Sequence, residues 1–306
     1  MTETHRLRHQ AFYYSSEGQL LDAVTRFVEE GLEDGEPAMV ALPAPELDRL
    51  RGRLRERDAT ARLVDMCELG RNPARIISAI RDFVDAHPGR RTRMVGEPIW
   101  PGRAPREAAE AARHEALINL AFAQTEVAIL CPYDLSLNDT TIRCSHHTHP
   151  QLIQNGVCED NADYAAAAVA ALDADPLPPA PDAASTMLDA GDLAALRGWL
   201  APQLRAAGLV GCRADDLTVA VNEAAGNAIL HGGGPADVRL WQEPGRVVCE
   251  VADEGRIDDP LAGRERPPAD APNGRGLWLA NQLCDLTQLR SGEDGTVLRL
   301  HMTVLA

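Results

Sequence analysis

Hydrophobic residues in the first half of the chain follow two alternating patterns. Short apolar runs predict β-strands, and between them apolar residues recur every three or four positions, as in amphipathic helices. The predicted strands are Phe12–Tyr14, Ala38–Leu42, Arg62–Met66, Thr92–Val95 and Val127–Cys131. The predicted helices contain Leu20–Leu32, Leu47–Leu54, Ile76–Phe83 and Pro105–Gln124. Because strand and helix alternate, this half is predicted to be an α/β domain with a doubly wound, mostly parallel sheet.

The second half opens with two predicted helices. The first runs from Asp189 to Ala207, and the second covers residues 215–231. Asp215 is placed to cap the second helix, and Gly232–Pro235 is expected to end it. An apolar stripe on this helix predicts that one face is buried. The stripe consists of Leu217, Val221, Ala224 and Ala228.

Strand-like alternation follows these helices. The runs Ala236–Gln242 and Arg246–Ala252 lie on either side of Glu243-Pro244-Gly245, a spacing typical of a β-hairpin. A further helix, Leu277–Leu286, and a last strand, Val297–Val304, complete the predicted elements.

Prolines mark the boundary between the two halves. Four of them lie between Asp173 and Ser185, which predicts a stiff linker. We therefore expect an N-terminal domain over residues 6–164, an Ala/Pro-rich linker over 165–185 and a C-terminal domain over 186–306.

Composition and charge exclude several classes of function. The 306-residue chain has a formal net charge of −16 and contains no lysine, only arginine. It therefore has neither the lysine of a Walker-type phosphate loop nor one for Schiff-base chemistry. The acidic balance disfavours direct nucleic-acid binding. Without a long apolar run or an apolar signal segment, we expect a cytoplasmic protein that does not insert into a membrane.

Polar residues on the 215–231 helix are candidates for chemistry. Glu223, Asn227 and His231 lie four residues apart and so share one line along the helix. A carboxylate and an amide oxygen suit Mg²⁺, which binds few protein groups together with substrate phosphates. Taken alone, such a line is more typical of a solvated helix face. Gly274-Arg275-Gly276 opens the next helix, where glycines let backbone N–H groups approach an anion.

These motifs occur in a known order. The helix with Glu223 and Asn227, then Asp253-Glu254-Gly255, Gly274-Arg275-Gly276 and Gly295-Thr296, resembles the four sequence boxes of the ATPase superfamily that includes gyrase and the histidine kinases, called GHKL. The short loop between the second and third boxes and the run His231–Gly234 look like the anti-sigma regulatory factors, which are serine/threonine protein kinases. The resemblance covers Thr186–Ala306 and implies a two-layer α/β sandwich.

The resemblance also implies roles for individual residues, with ATP and Mg²⁺ as cofactors. Asn227 is expected to bind the Mg²⁺ that accompanies ATP, and Glu223 to act as the general base. Asp253 is expected to bind the adenine amine, with Gly255 supporting it and Thr296 nearby. The remaining residues expected at the nucleotide are His231, Gly274, Arg275, Gly276 and Leu277. Two positions depart from the family pattern: Ile257 replaces a frequent glycine, and Gly226 replaces the usual threonine.

Motifs in the first half resemble a second family. Phe12-Tyr13-Tyr14, Gly96-Glu97-Pro98, Arg113-His114-Glu115 and Thr148-His149-Pro150 occur in the order of the MEDS sensory domain of bacterial and archaeal regulators. Ligands of doubly wound sheets bind at the carboxyl ends of the strands. We therefore expect Tyr14, Glu97 and Trp100 to line a sensory pocket for an unidentified input.

The combined expectation is a signalling regulator. A sensory domain would control an anti-sigma-type kinase, which would phosphorylate an anti-anti-sigma partner of the STAS type. When it is not phosphorylating that partner, the kinase would bind a sigma factor. Its first helix would be able to form a homodimer. One alternative is a sensor histidine kinase, suggested by His114-Glu115 on a helix upstream of the ATPase. Another is a non-catalytic ATP-gated binding module, suggested by Gly226 and Ile257.

Cysteines and histidines cluster late in the first domain. The group consists of Cys144, His146, His147, His149 and Cys158, with Cys131 nearby. Its spacing matches no strong zinc pattern, and cysteines of cytosolic proteins are usually reduced. We therefore expect thiols and no bound metal.

Overall fold

The computed structural model describes residues 6–54, 61–154, 156–166, 176–188, 193–268, 270 and 274–305. The chain forms two compact units, Met1–Ala170 and Ala171–Ala306. Part of the predicted linker (167–175) and the predicted start of the first C-terminal helix (189–192) lie outside the described residues. Within the described parts, no helix combines the length and apolar character that a membrane span requires.

The N-terminal unit is built on a seven-stranded sheet. Its strands are β1 Leu7–Tyr14, β2 Ala38–Leu42, β3 Ala61–Asp65, β4 Thr92–Gly96, β5 Val127–Asp134, β6 Gln151–Gln154 and β7 Val157–Asp160. Its helices are α1 Glu17–Glu33, α2 Ala44–Leu54, α3 Met66–Leu69, α4 Ile76–Asp85, α5 Pro105–Ala121 and α6 Asp139–Thr148. The strand order is β3-β2-β4-β5-β1-β6-β7, and every pair is parallel except β6 with β7.

Both faces of this sheet are covered by helices. All five residues of β2 are buried, as expected for a parallel strand with helices on each side. Ala38, Val40 and Leu42 pack with the apolar residues of α1 and α2. Met39 and Ala41 point to the opposite face, towards α3, α4 and α5. The predicted doubly wound, mostly parallel sheet is confirmed.

The C-terminal unit is a five-stranded antiparallel sheet with helices. Its elements are β8 Ala184–Leu188, α7 Leu193–Ala206, α8 Cys212–His231, β9 Ala236–Glu243, β10 Arg246–Asp253, α9 Arg275–Leu283, β11 Leu286–Gly292 and β12 Gly295–Thr303. The strand order is β11-β12-β10-β9-β8.

One hydrophobic core joins the helices of this unit to its sheet. The α8 stripe of Leu217, Val221, Ala224 and Ala228 packs with residues of β9, β10 and β12, together with α7 and α9. The predicted apolar stripe and the two-layer α/β sandwich are therefore confirmed. Burial of this stripe leaves the neighbouring line of polar residues on α8 facing away from the core.

Three sequence predictions about this unit are wrong in detail. α8 begins at Cys212 after Gly211, whose φ of 63° favours glycine, so Asp215 lies in the first turn and is not the cap. α9 ends at Leu283 because Cys284 takes an extended conformation, and Leu286 begins the unpredicted strand β11. β8 begins at Ala184, inside the predicted linker, and pairs with β9.

Candidate functional site

A cleft of about 960 Å³ lies in the C-terminal unit. It is bounded by α8, the beginning of α9, the end of β10, the start of β12 and the loop between β10 and α9. All ten residues that the sequence assigned to a nucleotide site line this cleft. They are Glu223, Asn227, His231, Asp253, Gly255, Gly274, Arg275, Gly276, Leu277 and Thr296.

The first turn of α9 touches the polar line of α8. A β-carbon at Gly276 would lie 2.8 Å from Glu223 Oε2 and 2.9 Å from Asn227 Nδ2. Those distances are shorter than any normal contact, so a side chain at Gly276 would displace the ends of Glu223 and Asn227. Gly274, with a φ of 92°, is the N-cap of α9 and lines the cleft, so the N-terminus of α9 lies at the cleft. A carboxylate, an amide and a helix N-terminus are thereby gathered at one end of the cleft.

The other end of the cleft is organised by Asp253. Its Oδ1 accepts a hydrogen bond of 2.7 Å from the backbone N–H of Gly255. Burial raises the pKa of Asp253, although the Gly255 N–H acts in the opposite direction. Thr296 lies directly opposite Asp253 in the β10–β12 register and donates to the Gly255 carbonyl at 2.8 Å.

Glycines allow this corner to be compact. A β-carbon at Gly255 would lie 2.5 Å from the α-carbon of Gly232 and 2.8 Å from the carbonyl oxygen of His231. Both obstacles are backbone atoms, which cannot move aside as a side chain can. The end of α8 and the turn after β10 therefore meet at van der Waals distance, which brings His231 and Asp253 to the same cleft.

The loop over the cleft is attached to α9 by a residue that the sequence analysis missed. Asn281 Nδ2 donates to the carbonyl of Gly263 at 2.8 Å, and Thr287 Oγ1 donates to Asn281 Oδ1 at 2.5 Å. Gly263 has a φ of 73° and lies against Leu277. No pattern of consecutive residues signals this contact, because Asn281 and Gly263 are 18 positions apart.

The negative charge of the cleft indicates that any polyphosphate ligand would bind together with a metal ion. Its described lining includes the carboxylates of Glu223, Asp253, Asp258, Asp259 and Glu265 but only two guanidinium groups, Arg256 and Arg275. One of these, Arg256, is paired with Asp258 at 2.7 Å. A polyanion would be repelled here unless a cation accompanied it. The oxygen donors Glu223 and Asn227 suit Mg²⁺, so the side chains present fit that ion.

The two departures from the family pattern both face the cleft. Gly226 and Ile257 belong to its lining. A β-carbon at Gly226 would meet only Leu193 Cδ1, at 3.9 Å, so the position has room for a side chain. The Ile257 N–H donates to Ser291 Oγ at 2.8 Å, which holds the start of the loop beside Thr296.

Two of the three residues expected in a sensory pocket are in contact. Tyr14 Oη donates to Glu97 Oε1 at 2.5 Å, at the carboxyl ends of β1 and β4. Burial raises the pKa of Glu97 to about 8, while the bond from Tyr14 acts in the opposite direction. The ring of Trp100 lies 4.4 Å from the Arg103 guanidinium, which donates to the carbonyls of Pro98 and Gly70.

Comparison with known proteins divides the chain in the same two parts. Residues 8–150 match the family described as MEDS, the methanogen/methylotroph, DcmR sensory domain. Residues 187–302 match the histidine kinase-like ATPase domain family. No protein of curated function matches the chain in sequence.

One similar solved structure is titled the crystal structure of the RsbU and RsbW domains of Rv1364c from Mycobacterium tuberculosis. The identity is 21%, the match covers 41% of this chain and 33% of that one, and the TM-score is 0.31. This chain thus matches about a third of the length of that structure.

Proposed function

Since the chain joins a MEDS sensory domain to a histidine kinase-like ATPase domain, we propose that it is a signalling regulator whose first domain controls an ATP-dependent protein serine/threonine kinase in the second. The kinase is of the anti-sigma type. The observation that carries this proposal is the contact of Gly276 with both Glu223 and Asn227 inside the cleft. This contact supports a shared site for the residues that we propose as general base, metal ligand and phosphate-binding turn.

Each end of the cleft has a separate task. Asp253 binds the exocyclic amine of adenine, for which a carboxylate acceptor held by the Gly255 N–H is well suited, and Thr296 in turn donates to the Gly255 carbonyl. Gly274, Arg275 and Gly276 face the phosphates at the N-terminus of α9, where backbone N–H groups and the helix dipole favour anions. His231 and Leu277 line the space between these ends.

Glu223 and Asn227 act at the phosphate end. Bound Mg·ATP would supply the phosphoryl group and the positive charge that such transfers need. Asn227 would hold the metal through its amide oxygen. Glu223 orients the attacking serine or threonine hydroxyl and accepts its proton, a task that requires hydrogen-bond reach. Its half-buried carboxylate lines the cleft next to Gly276, which supports this role.

The partners follow from the resemblance to anti-sigma regulatory factors. The phosphorylated protein would be an anti-anti-sigma partner of the STAS type, and a sigma factor would bind in the other state. The strongly acidic chain favours basic patches on such partners.

Burial argues against the sensor histidine kinase. His114 is 1% exposed on α5, which packs against the sheet and is followed by β5. A phosphoacceptor must reach a second protein domain, and this side chain does not reach the surface. The ATP-gated binding module remains a second candidate, because Ile257 occupies the cleft lining where the family often has glycine.

Labelled phosphate transfer tests the proposal. The full-length chain is incubated with radiolabelled ATP, Mg²⁺ and a candidate STAS-type protein from the same genomic neighbourhood. We expect an acid-stable phosphoester on a serine or threonine of the partner. Acid-labile phosphate on the chain itself, lost in His114→Ala, would favour a histidine kinase instead. Tight ATP binding without transfer to any candidate would favour the binding module.

A further inference from the structure

Four buried side chains with metal-binding atoms meet in the N-terminal unit. His9 is in β1, Glu115 in α5 and Cys131 in β5, and His149 caps the end of α6. Their ligand atoms all lie within 4.8 Å of one another. None of the four side chains is more than 1% exposed. This is the His9 cluster, which the proposed kinase chemistry does not use.

Four distances between ligand atoms of the His9 cluster are short. Glu115 Oε2 lies 3.1 Å from His9 Nε2, 3.2 Å from His149 Nε2 and 3.3 Å from Cys131 Sγ. Cys131 Sγ lies 3.4 Å from His9 Nε2. In tetrahedral zinc sites, the bond lengths place neighbouring N, O and S ligands about 3.3–3.6 Å apart. Four of the six pairs of ligand atoms are therefore close to tetrahedral spacing, and the other two pairs lie within 4.8 Å.

Hydrogen bonds outside the cluster set the orientation of His149. Its Nδ1 lies 2.8 Å from the carbonyl oxygen of Ser145. A carbonyl only accepts, so Nδ1 carries the proton, and in the neutral ring the lone pair is on Nε2, facing the cluster.

His9 is oriented in the same way. Its Nδ1 lies 3.0 Å from Asn119 Oδ1, and the amide of Asn119 is oriented by donation from Nδ2 to the Thr148 carbonyl at 2.7 Å. The oxygen of Asn119 thus faces His9 and accepts from Nδ1. Metal-binding histidines typically donate their second ring N–H to a carbonyl or carboxylate in this manner.

The inward-facing atoms need a positive charge between them. Two imidazole lone pairs and a carboxylate converge, and among the described residues neither His149 Nε2 nor Glu115 Oε1 makes a hydrogen bond. A buried polar atom without a partner is costly. Either a proton on one imidazole or a metal ion would relieve this arrangement.

We propose that His9, Glu115, Cys131 and His149 form a buried site for a divalent transition metal, with Zn²⁺ the best match to this donor set. Two nitrogens, one sulfur and one carboxylate oxygen suit a borderline-soft ion. Glu115 and the thiolate of Cys131 would balance its two positive charges, and the thiol releases its proton on binding. Four protein ligands close the coordination shell, so the metal ties β1, β5, α5 and the end of α6 together.

This site differs from the cysteine and histidine group considered from sequence. Only Cys131 and His149 belong to both. His147 Nδ1 contacts the Asp163 carbonyl at 3.1 Å, and His146 stacks on Tyr13. Cys158 accepts a hydrogen bond from Gln10. The proposal therefore departs from the expectation of thiols without metal, and its site includes two distant residues, His9 and Glu115.

Metal analysis of the full-length chain, purified without a polyhistidine tag, tests the proposal. We expect about one zinc per chain by elemental analysis. After chelation and reduction, titration with Co²⁺ should produce a thiolate-to-cobalt charge-transfer band that Zn²⁺ abolishes. Added Zn²⁺ should also raise the melting temperature of the stripped chain, because the ion binds only the folded form.

Matched variants assign the metal to the cluster. Cys131→Ser and His149→Gln should lose the metal, whereas Cys144→Ser and His147→Gln should keep it. If a cluster variant fails to fold, the thiolate-to-cobalt charge-transfer band in Cys144→Ser decides whether the metal binds at the His9 cluster. A folded, reduced chain that takes up neither Co²⁺ nor Zn²⁺ would overturn the proposal and leave a proton-bridged Glu115–histidine pair. Retention of the metal by Cys131→Ser and His149→Gln would overturn it equally.

Discussion

Gly276 has no room for a side chain beside Glu223: a β-carbon there would lie 2.8 Å from Glu223 Oε2. The obstacle is the end of a side chain, so substitution should displace Glu223 and Asn227 and leave the backbone in place. This contact makes the geometry of the proposed phosphate-binding end of the cleft testable independently of folding.

Gly276→Ala should fold normally but transfer phosphate poorly. Misplacement of a catalytic group by about 1 Å can lower a rate by about 10²-fold. ATP affinity, measured by calorimetry, should fall as well, because Asn227 is displaced with Glu223. Gly226→Ala is the matched control, since its β-carbon would meet only Leu193, at 3.9 Å. Equal transfer rates in the two variants would refute a tight fit at Gly276.

Glu223→Gln and Asn227→Ala should fail in different ways. Removing the proposed base should lower phosphate transfer by about 10²–10⁴-fold with little change in ATP affinity. Removing the proposed metal ligand should weaken both Mg·ATP binding and transfer, because positioning and charge neutralisation dominate such reactions. Calorimetric titration and labelled-phosphate transfer on both variants separate the roles. Normal transfer by Glu223→Gln would remove Glu223 from the mechanism.

Gly255→Ala should destabilise the C-terminal unit. Its β-carbon would meet backbone atoms of Gly232 and His231 at 2.5 and 2.8 Å, which have no alternative position. Overpacking of this kind costs about 1–3 kcal/mol. Urea unfolding of Gly255→Ala should show this loss of stability. Gly234→Ala should show no such loss, because the nearest neighbour of a β-carbon at Gly234 is Glu254 Oε2 at 3.8 Å. A Gly255→Ala variant as stable as Gly234→Ala would show that the corner can open.

Glu97 should make the chain less stable as the pH rises. Burial raises the pKa of Glu97 to about 8 from its ordinary 4.5, so the folded form keeps a proton that the unfolded form has released. The contribution of Glu97 to the free energy of unfolding is therefore most favourable below about pH 4.5. It declines between that pH and about pH 8, by at most about 1.4 kcal/mol per pH unit.

The Glu97→Gln variant isolates this effect. Glutamine keeps the shape of the side chain and cannot ionise, so its unfolding free energy should vary less between pH 5 and pH 8. The nearby carboxylates Glu46 and Asp134, which also raise the pKa of Glu97, are unchanged in both proteins. Chemical denaturation of both proteins at pH 5, 6, 7 and 8 provides the comparison. Parallel stability profiles would contradict a buried, protonated Glu97.

Local patterns in the sequence were sufficient for much of the fold. The apolar stripe of α8 and the continuous apolar run of β2 predicted burial correctly, because burial of a regular element depends on the spacing of consecutive residues. Elements without such a pattern were missed. β7 is exposed at all four positions, and β11 begins where a helix was expected to end.

The ordered motifs also predicted residues that the fold brings together, since all ten residues assigned to a nucleotide site line one cleft. Each motif is a short run at the end of a helix or strand, and such runs keep their local geometry wherever the chain places them. The tertiary structure decided what holds the cleft together. Asn281 binds Gly263 only because α9 packs beneath the loop.

Local sequence patterns could not predict the His9 cluster. His9 and Cys131 are 122 positions apart, and they meet because β5 pairs with β1. Glu115 and His149 join them because α5 and the end of α6 cover the same face of that sheet. The sequence by itself determined most of the helices and strands and the order of the motifs, because those properties depend on neighbouring residues. Only strand order and helix packing decided which distant side chains share a buried site.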